Sequence, residues 1–132
     1  MIQKIGQVMV YVSDQDAVKK FWVEDLGFSV ISEEDNGAGM RWFEIAPTDD
    51  SETSIILHDK ELISKMQPEL NLGTPSIMFV TDKLDELYKK FVNKQVTVGE
   101  IVSLPYGRVF NFADPEGNYF AVMEKVNNGR VK

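Results

Sequence analysis

Gly107-Arg108-Val109-Phe110-Asn111-Phe112-Ala113-Asp114-Pro115-Glu116-Gly117-Asn118 reads as a strand that runs straight into a tight turn. Arg108 to Ala113 is rich in β-branched and aromatic residues, which suit a pleated surface. Asp114-Pro115-Glu116-Gly117 has turn chemistry: proline presets φ, aspartate bonds nearby backbone, and glycine supplies a conformation that other residues resist. The chain then re-enters a strand, Asn118-Tyr119-Phe120-Ala121-Val122-Met123. The same pattern occurs earlier. Arg41-Trp42-Phe43-Glu44-Ile45-Ala46 echoes Arg108 to Ala113, and Thr53-Ser54-Ile55-Ile56-Leu57-His58 stands where the closing strand would be. Gly37-Ala38-Gly39 turns into the first copy and Pro105-Tyr106-Gly107 into the second.

Working outward, the repeat covers both halves of the chain. Gln7 to Val12 is a strand ending at Ser13/Asp14, and Ser76 to Val80 is a strand ending at Thr81/Asp82; both pairs are N-cap types. Val18, Phe21 and Trp22 recur at helical spacing after the first pair, and Leu84, Leu87, Tyr88 and Phe91 after the second, so both stripes are expected to pack on a sheet. Gly27 suits a helix C-terminus before a short strand at Phe28-Ser29-Val30-Ile31. Its counterpart is expected at Val96-Thr97-Val98, continuing through Ile101 and Val102. Each half therefore reads as strand, helix, strand, strand, strand. The expected organisation is a single domain over residues 1–132, with one module at about 4–58, a linker at 59–73 and a second module at about 74–124. Leu62, Ile63 and Met66 predict a short amphipathic helix in the linker. The polar tail from Asn127 to Lys132 is expected to fray.

Composition narrows the function. The chain has 132 residues, 43% of them hydrophobic, and no cysteine, so disulfides and thiolate metal sites are excluded. Twenty-one acids against 14 bases give a formal charge of -7. Nucleic-acid contacts require clustered Lys and Arg, and an anionic membrane would repel this chain. Neither a signal-peptide run nor a spanning segment is present in the pattern, so the expectation is a cytoplasmic protein whose partner is a small molecule rather than nucleic acid or membrane.

With the closing signature Gly107 to Asn118, and with Phe21-Trp22 and Leu26-Gly27-Phe28 in the opening half, the chain resembles the vicinal oxygen chelate superfamily. That group includes glyoxalase I, extradiol dioxygenases and bleomycin-resistance proteins. The resemblance spans about Lys4 to Glu124. It implies an α+β fold of two βαβββ modules forming curled mixed sheets around a cavity, and a homodimer. It also implies metal-ligand positions on the first and last strands of each module, here Gln7, Ile56, Ser76 and Ala121. Ile56 and Ala121 stand where carboxylates are expected and Ser76 where a histidine is expected. Hydrocarbon side chains have no lone pairs, so the expectation is that no metal is held and no cofactor is needed, with a divalent metal as the alternative.

The residues open to chemistry are few. His58, the one histidine, shares a strand face with Ile56 and is either a proton-transfer group beside a ligand or a strand-end residue in water. Glu44 alternates with Trp42 and is either a base in a partly apolar pocket or a solvated strand residue. A Glu44–His58 pair would point to acid/base catalysis. Trp42, Tyr119, Met78 and Met123 are candidate walls for a ligand, and Gln7, Ser76, His58 and Asn111 candidate polar anchors, around Ile56 and Ala121. Asn111 equally suits the backbone near the Asp114 turn, and Arg108 suits either an anion or a neighbouring acid. Glu33-Glu34-Asp35 and Asp49-Asp50-Ser51-Glu52 are expected to be solvated loops. The function expected is binding of a small apolar or aromatic molecule, of the sequestration or resistance type. The alternatives are an enzyme of the lactoylglutathione lyase or dioxygenase type with an altered metal or acid/base site, and a scaffolding subunit with a filled cavity.

Overall fold

The computed structural model describes residues 1–125; the tail singled out above lies outside them. The chain divides into two compact units, one ending at Pro75 and one beginning at Ser76.

The first unit contains β1 (Gln7–Val12), α1 (Gln15–Lys20), β2 (Ser29–Asp35), β3 (Arg41–Ala46), β4 (Ser54–Asp59) and α2 (Lys60–Met66). Its four-stranded sheet has the order β1-β4-β3-β2, with β1 parallel to β4 and the other pairs antiparallel. Asp14 caps α1 by accepting from Ala17 N at 3.1 Å. A π-turn, Phe21–Asp25, extends the helix, and Gly27 follows it with φ of 79°. That left-handed position is where glycine is favoured after a helix. Alternation on the strands sends Val10, Val12, Phe43, Ile45, Ile55 and Leu57 to one face, where they are buried with Val18, Phe21 and Trp22 of the helical segment. Gln15 is buried at the start of α1 and donates to the carbonyls of Arg41 at 2.7 Å and Leu57 at 3.1 Å, which pins the helix to two strands. The linker forms α2, capped by Asp59. The acidic segment Glu33-Glu34-Asp35 is not a loop: β2 extends through it, because β3 continues to pair as far as Arg41.

The second unit contains β5 (Met78–Thr81), α3 (Leu84–Asn93), β6 (Thr97–Val98), β7 (Val102–Leu104), β8 (Gly107–Ala113) and β9 (Tyr119–Glu124). β5 runs parallel to β9; β8 pairs antiparallel with β9, β6 and β7. Phe110, Phe112, Phe120 and Val122 are buried against Leu84 and Phe91 of α3. The strand expected from Val96 to Val102 is broken in two. Gly99 N donates to the Asn111 carbonyl at 2.9 Å and Gly99 O accepts from the Tyr88 hydroxyl at 2.9 Å, so the chain leaves the ladder there. The N-cap of α3 is Lys83, not Thr81 or Asp82; Thr81 Oγ1 instead accepts from Lys83 N at 3.1 Å one step earlier. Arg108 resolves as an internal ion-pair partner, its guanidinium shared between Asp85 at 3.0 Å and Glu124 at 3.1 Å. The same pairing holds both carboxylates below their ordinary pKa, through hydrogen bonds from Arg108.

Candidate functional site

Each sheet has one face covered by a helical segment and one face left over. In the first unit the cross-strand register fixes the second set: Gln7, Met9 and Tyr11 on β1, Ser54, Ile56 and His58 on β4, Trp42 and Glu44 on β3, Ser32 and Glu34 on β2. Four of the residues singled out from sequence, Gln7, Trp42, Ile56 and His58, line one pocket of about 310 Å³ on this face. Met9, Asn36 and Met40 complete it. These were missed from sequence. Met9 was legible, since it alternates with Gln7. Asn36 and Met40 come from the β2–β3 hairpin, which carries no periodic signal; the Asn36 side-chain oxygen closes that hairpin by accepting from Ala38 N and Met40 N.

His58 sits between two aromatic rings. It stacks on Tyr11 at 5.8 Å between centroids and lies 6.2 Å from Trp42. Among the described residues its buried Nδ1 has no hydrogen-bond partner. Burial lowers its pKa, because the charged imidazolium loses hydration, so the ring is neutral near pH 7. A Glu44–His58 pair, left open by the sequence, does not form. Glu44 lies across from Ile56 instead, and its carboxylate accepts from Ser54 Oγ at 2.6 Å, Ser32 Oγ at 3.1 Å and Gln7 Nε2 at 3.5 Å. The Ser54 bond, followed by those from Ser32 and Gln7, holds its pKa below the ordinary carboxylate value against the opposing cost of burial. Glu44 is therefore an ionised group on a partly dry face, and the raised pKa of a neutral-pH base is not what this environment produces.

The second unit carries the repeat-related set. Met78 and Asn111 both lie opposite Ala121, as Met9 and Glu44 lie opposite Ile56. Ser76, Asn111, Tyr119 and Ala121 line a pocket of about 210 Å³ together with Ile77 and Phe120. Met78, 49% exposed, and Met123, largely buried, share the Ala121 face by register without lining that pocket. Asn118 rather than Asn111 serves the Asp114 turn, donating both N and Nδ2 to the Asp114 carboxylate. This face has no charged side chain on β5, β8 or β9 among Met78, Val80, Val109, Asn111, Ala113, Tyr119, Ala121 and Met123.

At the ligand positions that the resemblance marks, the first unit offers one amide oxygen on Gln7 and hydrocarbon on Ile56, and the second one hydroxyl on Ser76 and hydrocarbon on Ala121. Among the described residues no three His, Cys, Asp or Glu side chains come together as a possible metal site. No helix in the described residues is long and apolar enough to cross a membrane.

Two open mixed sheets, each a βαβββ repeat with its helix on one face, match what comparison with known proteins finds. The family model described as Glyoxalase/Bleomycin resistance protein/Dioxygenase superfamily matches residues 4–122. The chain belongs to this superfamily. It is 31% identical to YetH of Bacillus subtilis (strain 168) over 125 residues, covering 94% of this chain and all of that one. Among solved structures it is similar to TnmS3, an antibiotic binding protein from Streptomyces sp. CB03234, with a TM-score of 0.80 and 28% identity over 95% of this chain and 98% of that one. It is also similar to a superfamily member from Sphaerobacter thermophilus DSM 20745, with a TM-score of 0.80 and 26% identity over 94% of this chain and 98% of that one.

Proposed function

We propose that this superfamily member binds a small apolar or aromatic molecule and sequesters or carries it, with no bond made or broken. The observation that carries this reading is the composition of the first unit's pocket. An indole, an imidazole held neutral by burial, two thioethers and the aliphatic Ile56 form a surface suited to a flat organic guest. Gln7 and Asn36 are the polar anchors. In the second unit Tyr119 is the wall, Ser76 and Asn111 the anchors and Ala121 part of the floor, with Met78 and Met123 on the same face outside the pocket. The similarity to TnmS3, itself described as antibiotic binding, supports the same reading. The positions at Ile56 and Ala121 suit an organic guest better than an ion, so the reading includes no metal or other cofactor.

Calorimetric titration with a planar aromatic probe such as acridine is expected to show saturable binding. Trp42→Ala should weaken it by about tenfold or more, since a stacked ring contributes about 1 kcal/mol beyond the area it covers. Absence of saturable binding to any planar aromatic probe by a folded sample would refute the proposal. The reading also includes a cytoplasmic homodimer. Native mass spectrometry is expected to give twice the chain mass and no metal adduct; a monomer, or a stoichiometric metal ion, contradicts it.

A further inference from the structure

The polar groups around the first unit's pocket are organised by one carboxylate. Glu44 draws the hydroxyl hydrogens of Ser32 and Ser54 and an amide hydrogen of Gln7 toward itself. The hydroxyls thus turn lone pairs away from Glu44. The amide of Gln7 is fixed with its nitrogen toward Glu44, and its carbonyl oxygen is left for a guest. Among the described residues Oε1 of Glu44 accepts from Ser32 alone, so it retains capacity for a further donor.

The charge on this face is equally one-sided. Register places Glu44 and Glu34 on it, flanking Trp42 along and across the strands. None of the face residues on β1 to β4 is a lysine or arginine. Of this unit's bases, Arg41 pairs with Asp16 and lies over the Phe43 ring, and Lys19 lies over the same ring, on the helix-covered side. His58 is neutral. Among the described residues Glu44 is hydrogen-bonded by neutral groups and forms no ion pair. Two residues along the same strand face stands the Trp42 indole, a ring type whose π face attracts cations by its quadrupole.

Resting on the binding role proposed above, we infer that the first unit's pocket selects planar aromatic cations. The guest would lay its ring system against Trp42 and direct an ammonium, amidinium or aromatic amine toward Glu44. Glu44 is then the residue that sets specificity. It charges the site and fixes the orientation of Gln7, and a donor on a cationic guest makes a shorter and stronger bond to it than a neutral donor would. An anionic guest of the same shape meets the carboxylates of Glu44 and Glu34 and is rejected, which is selection by repulsion as well as attraction.

Three acridines of one ring shape test this in mildly alkaline buffer: aminoacridine, a cation; acridine, neutral; and acridine carboxylate, an anion. Aminoacridine is expected to bind about tenfold more tightly than acridine, and the carboxylate more weakly than either. Glu44→Gln should bring the cation and the neutral ring to nearly equal affinity while acridine still binds. Should that variant fail to fold, Glu34→Gln, at an exposed position, and raised salt on the unaltered protein must each narrow the preference. Acridine binding as well as aminoacridine would overturn the inference and leave the binding role standing. If none of the three binds, both fall. A preference unchanged by Glu44→Gln, or by Glu34→Gln and salt together, also overturns it.

Discussion

Phe112→Ala is expected to lower the free energy of unfolding by about 3–5 kcal/mol. Phe112 is 1% exposed and stands at the centre of the second unit's ring cluster. Its centroid lies 5.4 Å from Phe91, 5.8 Å from Phe120 and 6.3 Å from Phe79, so one side chain joins α3 to strands β5 and β9. Truncation removes the transfer free energy of a benzyl group and leaves a cavity whose lining belongs to a sheet and a helix that cannot collapse far. The loss is a large fraction of the roughly 5–15 kcal/mol by which a domain of this kind is stable. Urea titration is the check: the midpoint should fall sharply at constant slope. Phe112→Leu, which keeps most of the volume, should cost much less. A loss under about 1 kcal/mol for the alanine variant would contradict the packing described here.

The second large effect is expected at Asp114, where the cost is polar. Asp114 is 5% exposed, and its Oδ1 accepts from the backbone N of Glu116 and of Asn118, both at 2.9 Å. Oδ2 accepts from Asn118 Nδ2 at 3.0 Å. The carboxylate therefore holds the tight turn that sets β8 and β9 in register, with Gly117 N closing it onto the Asp114 carbonyl at 3.0 Å. Asp114→Ala removes the acceptor from donors in a largely buried turn, at about 2–4 kcal/mol in total given that bonds to a charged acceptor contribute about 1.5–3 kcal/mol each and are not additive. Asp114→Asn retains an oxygen for the two backbone donors and should lose about half as much. Equal losses for the two variants, or a loss below about 0.5 kcal/mol for alanine, would show that the turn does not depend on this acceptor. Because Asn111 and Tyr119 flank the turn's strands, a loosened register should also disturb the second unit's pocket.

The two substitutions bear on how far sequence alone reaches. The turn at Asp114 was fully legible, because aspartate, proline and glycine act through their own backbone and immediate neighbours. So was the ring cluster, since an alternating strand opposite an amphipathic helix has one way to bury its aromatic face. The pocket of the first unit was half legible. Gln7 and Ile56 are positions that the family resemblance marks, His58 follows from its alternation with Ile56, and Trp42 was a candidate wall on the matching strand. Asn36 and Met40 reach the same pocket from a hairpin whose path no period encodes. The partner of Glu44 stayed open in the sequence for a related reason. His58 has the chemistry of a partner, but register sets Trp42 opposite His58 and Ile56 opposite Glu44, and two serines from flanking strands occupy the carboxylate.

Local chemistry in this chain thus determined the repeat, the cap at Asp14, the turns and which face of each strand is apolar, because each depends on residues a few positions apart. The tertiary structure decided what stands beside what across strands: the break at Gly99, the pairing of Arg108, and the set of donors that keeps Glu44 charged. Those depend on hydrogen-bond register between segments distant in the chain, where a shift of one residue exchanges the two faces of a strand.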